Sequence, residues 1–156
     1  MTRVQGILAT LLIGLFAGAC GDGDKTGYDD LLRNRALWES KNIKNYEYQF
    51  QWVCFCLVER TTPVRVTVEK NQITRVVTTE QRRDIDRKQF TEYQTIDGLF
   101  DLITDAYRRA EDVRVEYNET YGYPTSVYID YQKAIADEEL GFSITDFMPV
   151  ESIVRP

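Results

Sequence analysis

The chain of 156 residues contains no histidine. That absence removes Ser-His-Asp and Cys-His catalysis, imidazole-ligated zinc and histidine-based pH sensing together. Cysteine is scarce as well, with three residues, Cys20, Cys54 and Cys56, too few for a disulfide framework or a four-thiolate metal site. Positive charge is in short supply. The 19 Lys and Arg stand against 25 Asp and Glu, a net charge of −6, which disfavours attraction to nucleic acid or anionic headgroups. Finally, no apolar run reaches the roughly 20 residues that a membrane-spanning helix needs.

What is present begins with MTRVQGILATLLIGLFAGAC: Arg3 in a short n-region, apolar residues from Ile7 to Phe16, then Ala17, Gly18 and Ala19 before Cys20. This is the order of a secretory signal. The segment Ala17-Gly18-Ala19-Cys20 resembles the bacterial lipoprotein cleavage site, with Ala where Leu is usual at its first position. The resemblance implies that residues 1–19 are removed and that Cys20 carries a diacylglyceryl thioether and an N-acyl chain, enough lipid for stable anchoring without spanning. Loss of Arg3 would leave 18 basic against 25 acidic residues, a mature charge of −7. Residues 20–27, rich in Gly and charge, read as a flexible tether. Gly21, in place of the Asp that resembles an inner-membrane retention signal, favours an outer-membrane, periplasm-facing address.

Residues 28–156 suit one domain with a single core. Leu31, Leu32, Leu37 and Trp38 predict a first amphipathic helix over 28–42. Tyr46, Tyr48, Phe50, Trp52, Cys54 and Cys56 alternate with Glu47, Gln49 and Gln51, the pattern of a half-buried strand. Val64, Val66 and Val68 pass through Lys70-Asn71 to Ile73–Val77, a hairpin whose turn exploits the tolerance of Asn for positive φ. Residues 78–94 read as a charged excursion with a short helical piece. Thr95 is an N-cap for a second helix carrying Ile96, Leu99, Phe100, Ile103, Ala106, Tyr107 and Ala110. Strands follow at Val113–Tyr117, at Val127–Tyr131 after a Gly122–Pro124 turn, and at Phe142–Phe147. The expected fold is α+β: an antiparallel sheet with two helices packed on one face, in two degenerate helix-plus-strands units.

Trp38, Tyr46-x-Tyr48, Cys54-Phe55-Cys56, Val66-x-Val68, Thr95-Ile96-x-x-Leu99-Phe100, Tyr117–Asp130 and Asp137-Glu138-Glu139, in that order, resemble the DUF6174 family of uncharacterised bacterial lipoproteins. The resemblance covers nearly all of the domain and implies no activity.

Three groups of residues stand out as candidate sites. Cys54 and Cys56, two apart on a strand, share a face with their Cα atoms near the upper end of the disulfide range. A local bridge, two buried free thiols and a redox or soft-metal site are the alternatives, and the aromatic company of Tyr48, Phe50 and Trp52 argues for burial. Asp130, Asp137, Glu138 and Glu139 would offer oxygen ligands to calcium if a loop gathered them, although their spacing is not that of an EF-hand and a solvated acidic loop accounts for it equally. Tyr121, Tyr123 and Tyr128 would form a contact patch if exposed together. The composition thus points to a non-enzymatic, lipid-anchored envelope module binding another protein or a surface component, without cofactor. A thiol or metal-handling protein using Cys54 and Cys56 is the alternative.

Overall fold

The computed structural model describes residues 23–134 and 139–150, with side chains from residue 26 onward. The expected leader, Cys20, Asp137 and Glu138 lie outside the described residues. Helix α1 spans Gly23–Lys41 and strand β1 Tyr46–Cys54, followed by a single helical turn, α2, at Val58–Thr61. The hairpin β2 (Val64–Glu69) and β3 (Gln72–Thr78) leads through a 3-10 turn at Arg87–Glu92 to helix α3 (Ile96–Arg109). Strands β4 (Asp112–Tyr117), β5 (Pro124–Asp130) and β6 (Glu139–Pro149) complete the chain.

The six strands form one antiparallel sheet in the order β3-β2-β1-β6-β5-β4, so each half is a meander and the halves join where β1 pairs with β6. This is the expected α+β architecture, with helix then three strands occurring twice. Period-2 alternation decides which face is covered. On β1, Tyr46, Tyr48, Phe50 and Trp52 are buried while Glu47, Gln49 and Gln51 are half-exposed. The same core holds Leu31 and Trp38 of α1 and Ile96, Leu99, Phe100, Ile103 and Ala106 of α3, which places both helices on that one face.

Three polar groups inside this core are paired, whereas the buried Tyr117 hydroxyl has no partner among the described residues. The Tyr46 hydroxyl accepts from the Ile96 backbone N–H at 2.9 Å, Tyr48 donates to the Gln94 carbonyl, and the Trp38 indole donates to Asp97 at 2.8 Å. Burial pushes the phenols of both Tyr46 and Tyr48 well above the ordinary tyrosine range. The sheet therefore caps the start of α3, alongside Thr95, whose hydroxyl accepts from Gly98 N–H at 3.2 Å as expected of an N-cap. The Lys70-Asn71 turn takes the expected positive φ, 51° and 61°.

Two expectations need correction. The stretch read as tether is helical from Gly23, because α1 docks along α3: a Cβ on Gly27 would lie 2.6 Å from the Tyr107 hydroxyl, so the glycine permits a close helix approach. The last strand is longer than Phe142–Phe147, since its ends find hydrogen-bonding partners on both β1 and β5.

Candidate functional site

Strand β1 loses its neighbours before its apolar sequence ends. Its last pair with β2 is Phe50↔Val64 and its last with β6 is Cys54↔Leu140, so the chain beyond Cys54 overhangs the sheet. There Phe55 is 90 % exposed, Leu57 79 % and Val58 77 %. Isolated apolar side chains on a surface are ordinary, whereas several together on one projecting loop are not.

The loop is held at both ends. Cys54 and Cys56 form a disulfide with Cα atoms 5.2 Å apart, closer than two residues of extended strand would set them, because the strand stops at Cys54 and the chain turns. Contrary to the burial expected from its aromatic neighbours, Cys56 is exposed and Cys54 half-buried. Trp52 remains inside and Phe55 points out, so the buried aromatic company ends two residues before the bridge. On the far side, α2 is tied back by Gln51, whose amide donates to the Thr61 carbonyl at 3.1 Å, and is closed by its C-cap Thr62, whose hydroxyl donates to the Val58 carbonyl at 2.8 Å. The Arg60 guanidinium lies 5.5 Å from the centre of the Trp52 ring.

Opposite this loop stands the charged excursion of residues 78–94. It is pinned by paired backbone: Thr78 N–H donates to Arg83 O at 2.9 Å, Ile85 N–H to Val76 O at 2.9 Å, and Thr79 N–H to Pro63 O at 3.0 Å. Asp84 forms a bridge with Val77, and Asp86 caps the 3-10 turn by accepting from Lys88 N–H at 2.9 Å. The Trp52 indole ties β1 to the excursion by donating to the Glu92 carbonyl at 3.2 Å. Between loop and excursion lies an open cleft of about 1060 Å³ whose apolar lining is Phe55, Leu57, Val58, Ile85 and Tyr93. Glu59, Glu80 and Glu92 and the cations Arg60 and Arg83 also line it.

The tyrosine patch does not assemble. Gly122, at φ 82°, folds its turn against α1. Tyr123, 6 % exposed, packs with its ring centre 4.6 Å from that of Phe147, and Tyr121 packs at 5.3 Å from the same ring. Tyr128 alternates onto the opposite sheet face, where Arg114 stacks over it at 4.7 Å.

Asp130 is buried rather than set in a solvated loop. Its carboxylate accepts from Gln132 N–H at 3.0 Å, and it stands in register between Asp112 and Glu139. A hydrogen bond from Arg114 holds the Asp112 carboxyl below its usual range. Among the described residues no group of three Asp, Glu or Cys is placed to hold a metal ion.

A second concavity, about 520 Å³ on the open face, is lined by Arg65, Arg75 and Arg82 with Glu47. Asp84 pairs with Arg75 at 2.8 Å and Asp146 lies 3.7 Å from Arg65, so carboxylates match this basic cluster.

The sequence carried one unused signal for the cleft. After Gln51 the alternation lapses, and every residue from Trp52 to Val58 is apolar. Neither curated proteins nor solved structures match the chain. A family model does match, over residues 30–149, more than half of the chain and spanning α1 to β6, so the protein belongs to DUF6174, a family of unknown function.

Proposed function

We propose that the chain is a lipid-anchored envelope protein, tethered through Cys20, whose domain is a non-enzymatic module that receives an extended polypeptide segment in the cleft beside α2. The observation that carries this reading is the exposed apolar loop Phe55–Val58 facing a cleft of about 1060 Å³. That volume is at the upper limit of small-molecule pockets, and the cleft is open rather than enclosing. Its lining combines apolar anchors with charges of both signs, which suits a polypeptide bearing apolar and charged side chains better than a uniformly charged polymer. The net charge of −6 argues in the same direction.

Two experiments separate anchor from cleft. Cys20→Ser should leave the domain folded and move it from the membrane to the soluble fraction; retention at the membrane refutes the anchor. A photo-crosslinking residue at position 55, in intact cells, should give a discrete protein adduct that Leu57→Asp abolishes. Adducts that persist unchanged in Leu57→Asp refute the cleft. Leu57 is mostly exposed, so the substitution should leave stability within about 0.5 kcal/mol.

A further inference from the structure

We infer that the Cys54–Cys56 disulfide is an exchangeable oxidant for thiols of the polypeptide seated in the cleft, and not a structural staple. Three observations converge. First, the bridge joins residues two apart on one chain segment, so it ties no distant elements together and constrains few residues of the unfolded chain. Second, Cys56 is exposed and lines the cleft, whereas Cys54 is half-buried at the end of β1. An incoming thiolate therefore has an open approach to Cys56 Sγ, with Cys54 Sγ as the departing sulfur. Third, Phe55, between the two cysteines, and Leu57, beside them, are the most exposed large apolar side chains among the described residues. Apolar groups on either side of Cys56 would hold a polypeptide against the sulfur, giving the exchange a substrate preference that a small thiol does not share.

The step balances without further reagents. A thiolate of the bound segment attacks Cys56 Sγ, forming a mixed disulfide while the Cys54–Cys56 bond breaks and its electron pair leaves on Cys54 as thiolate. A second thiolate of the segment attacks the mixed disulfide at the segment's own sulfur, and Cys56 departs as thiolate. The segment gains a disulfide, losing two electrons and two protons overall, and the protein becomes the dithiol. Exchange with a more oxidising protein disulfide, running the same steps in reverse, restores the bridge.

This proposal rests on the polypeptide reading of the cleft, and its test is built to fail separately. The full chain in a Cys20→Ser background, which removes the third thiol, is mixed with two probes: reduced glutathione and a reduced decapeptide with two cysteines flanked by Phe and Leu. The expected result is dithiol formation at Cys54 and Cys56, read by alkylation and peptide-mapping mass spectrometry, at least tenfold faster with the decapeptide. Phe55→Ser with Leu57→Ser should cut that advantage to about threefold or less. In a second arm the oxidised decapeptide is offered to Cys54→Ser and to Cys56→Ser, and the mixed disulfide should accumulate faster on Cys56.

Equal rates for both probes, or a bridge that neither probe opens, overturn the exchange proposal. Capture of a crosslinked protein partner at position 55, surviving in the Cys54→Ser/Cys56→Ser double variant, would then leave the cleft reading standing alone.

Discussion

Removing the hydroxyl of Tyr46 tests how the sheet holds α3. The Tyr46 oxygen accepts from Ile96 N–H at 2.9 Å, and both residues are fully buried. Ile96 is the first residue of α3, so its N–H has no acceptor within the helix. Thr95 satisfies Gly98 instead. In Tyr46→Phe the ring keeps its edge contact with Trp38, at 5.4 Å, and its packing on Phe147, while a buried donor loses its acceptor. Leaving such a group unsatisfied costs about 1–3 kcal/mol. For a domain of this size, at about 3 °C per kcal/mol, the melting temperature should fall by about 3–9 °C. Thermal unfolding followed by far-ultraviolet circular dichroism measures the shift directly. Tyr121→Phe is the control: the residue is half-buried and keeps its ring contact with Phe147, so it should move stability by less than about 0.5 kcal/mol. A second arm combines Tyr46→Phe with Thr95→Ala. Both changes act at one helix end, so their costs should be non-additive by about 0.5 kcal/mol or more. A melting temperature within about 1 °C of the parent for Tyr46→Phe would refute the idea that this strand tyrosine caps the helix.

Gly122→Ala should be among the most damaging single-methyl additions, because φ is 82° and the new Cβ would collide with the Asn34 carbonyl of α1; a loss of at least about 2 kcal/mol in urea denaturation is expected, and parental stability would refute the close approach. In alkali, Tyr46 and Tyr48 keep their protons in the folded state while unfolded phenols lose theirs near pH 10. Folded pKa values raised in this way confer stability present below about pH 10 and lost above it, at about 2.7 kcal/mol per pH unit for the two groups; urea midpoints that stay flat between pH 9 and 11 would contradict their burial. Reducing the Cys54–Cys56 bridge closes a loop of only three residues in reverse, so chain entropy limits the cost to roughly 1.5 kcal/mol. Circular dichroism in the presence of a phosphine reductant should therefore show a folded dithiol, and unfolding on reduction would make the bridge a staple.

The helices and the face they cover were legible because they rest on local periodicity. The Thr95 cap followed by Ile96, Leu99, Phe100, Ile103 and Ala106 fixes both the start and the buried face of α3. The Tyr46–Trp52 alternation likewise fixes which side of β1 receives it. The start of α1 was hidden for the opposite reason. Gly23 to Gly27 has no apolar face, and its order comes from the approach of Gly27 to Tyr107, a contact 80 positions away in the sequence. The tyrosines near Gly122 misled in a similar manner, since their number suggested a surface while the positive-φ turn tucks two of them onto Phe147.

The cleft illustrates why an apolar run has two meanings. A stretch such as Trp52–Val58, apolar at every position, is what a strand buried on both faces would show, and β1 does lie at the centre of the sheet. Only register separates burial from overhang, and register is a property of the partners. β2 begins opposite Phe50 and β6 reaches no further than Cys54, so the residues from Phe55 onward keep apolar side chains with no strand beside them. A domain that stabilised itself with those side chains would bury them. This one spends its aromatic burial on Tyr46 to Trp52 and leaves Phe55, Leu57 and Val58 outside, next to a disulfide that stabilises the fold only slightly. Neither feature is accounted for by folding, and both sit on the same cleft. On the proposed reading the two form one contact surface, in which the apolar loop would select the partner and the exposed sulfur of Cys56 would meet it.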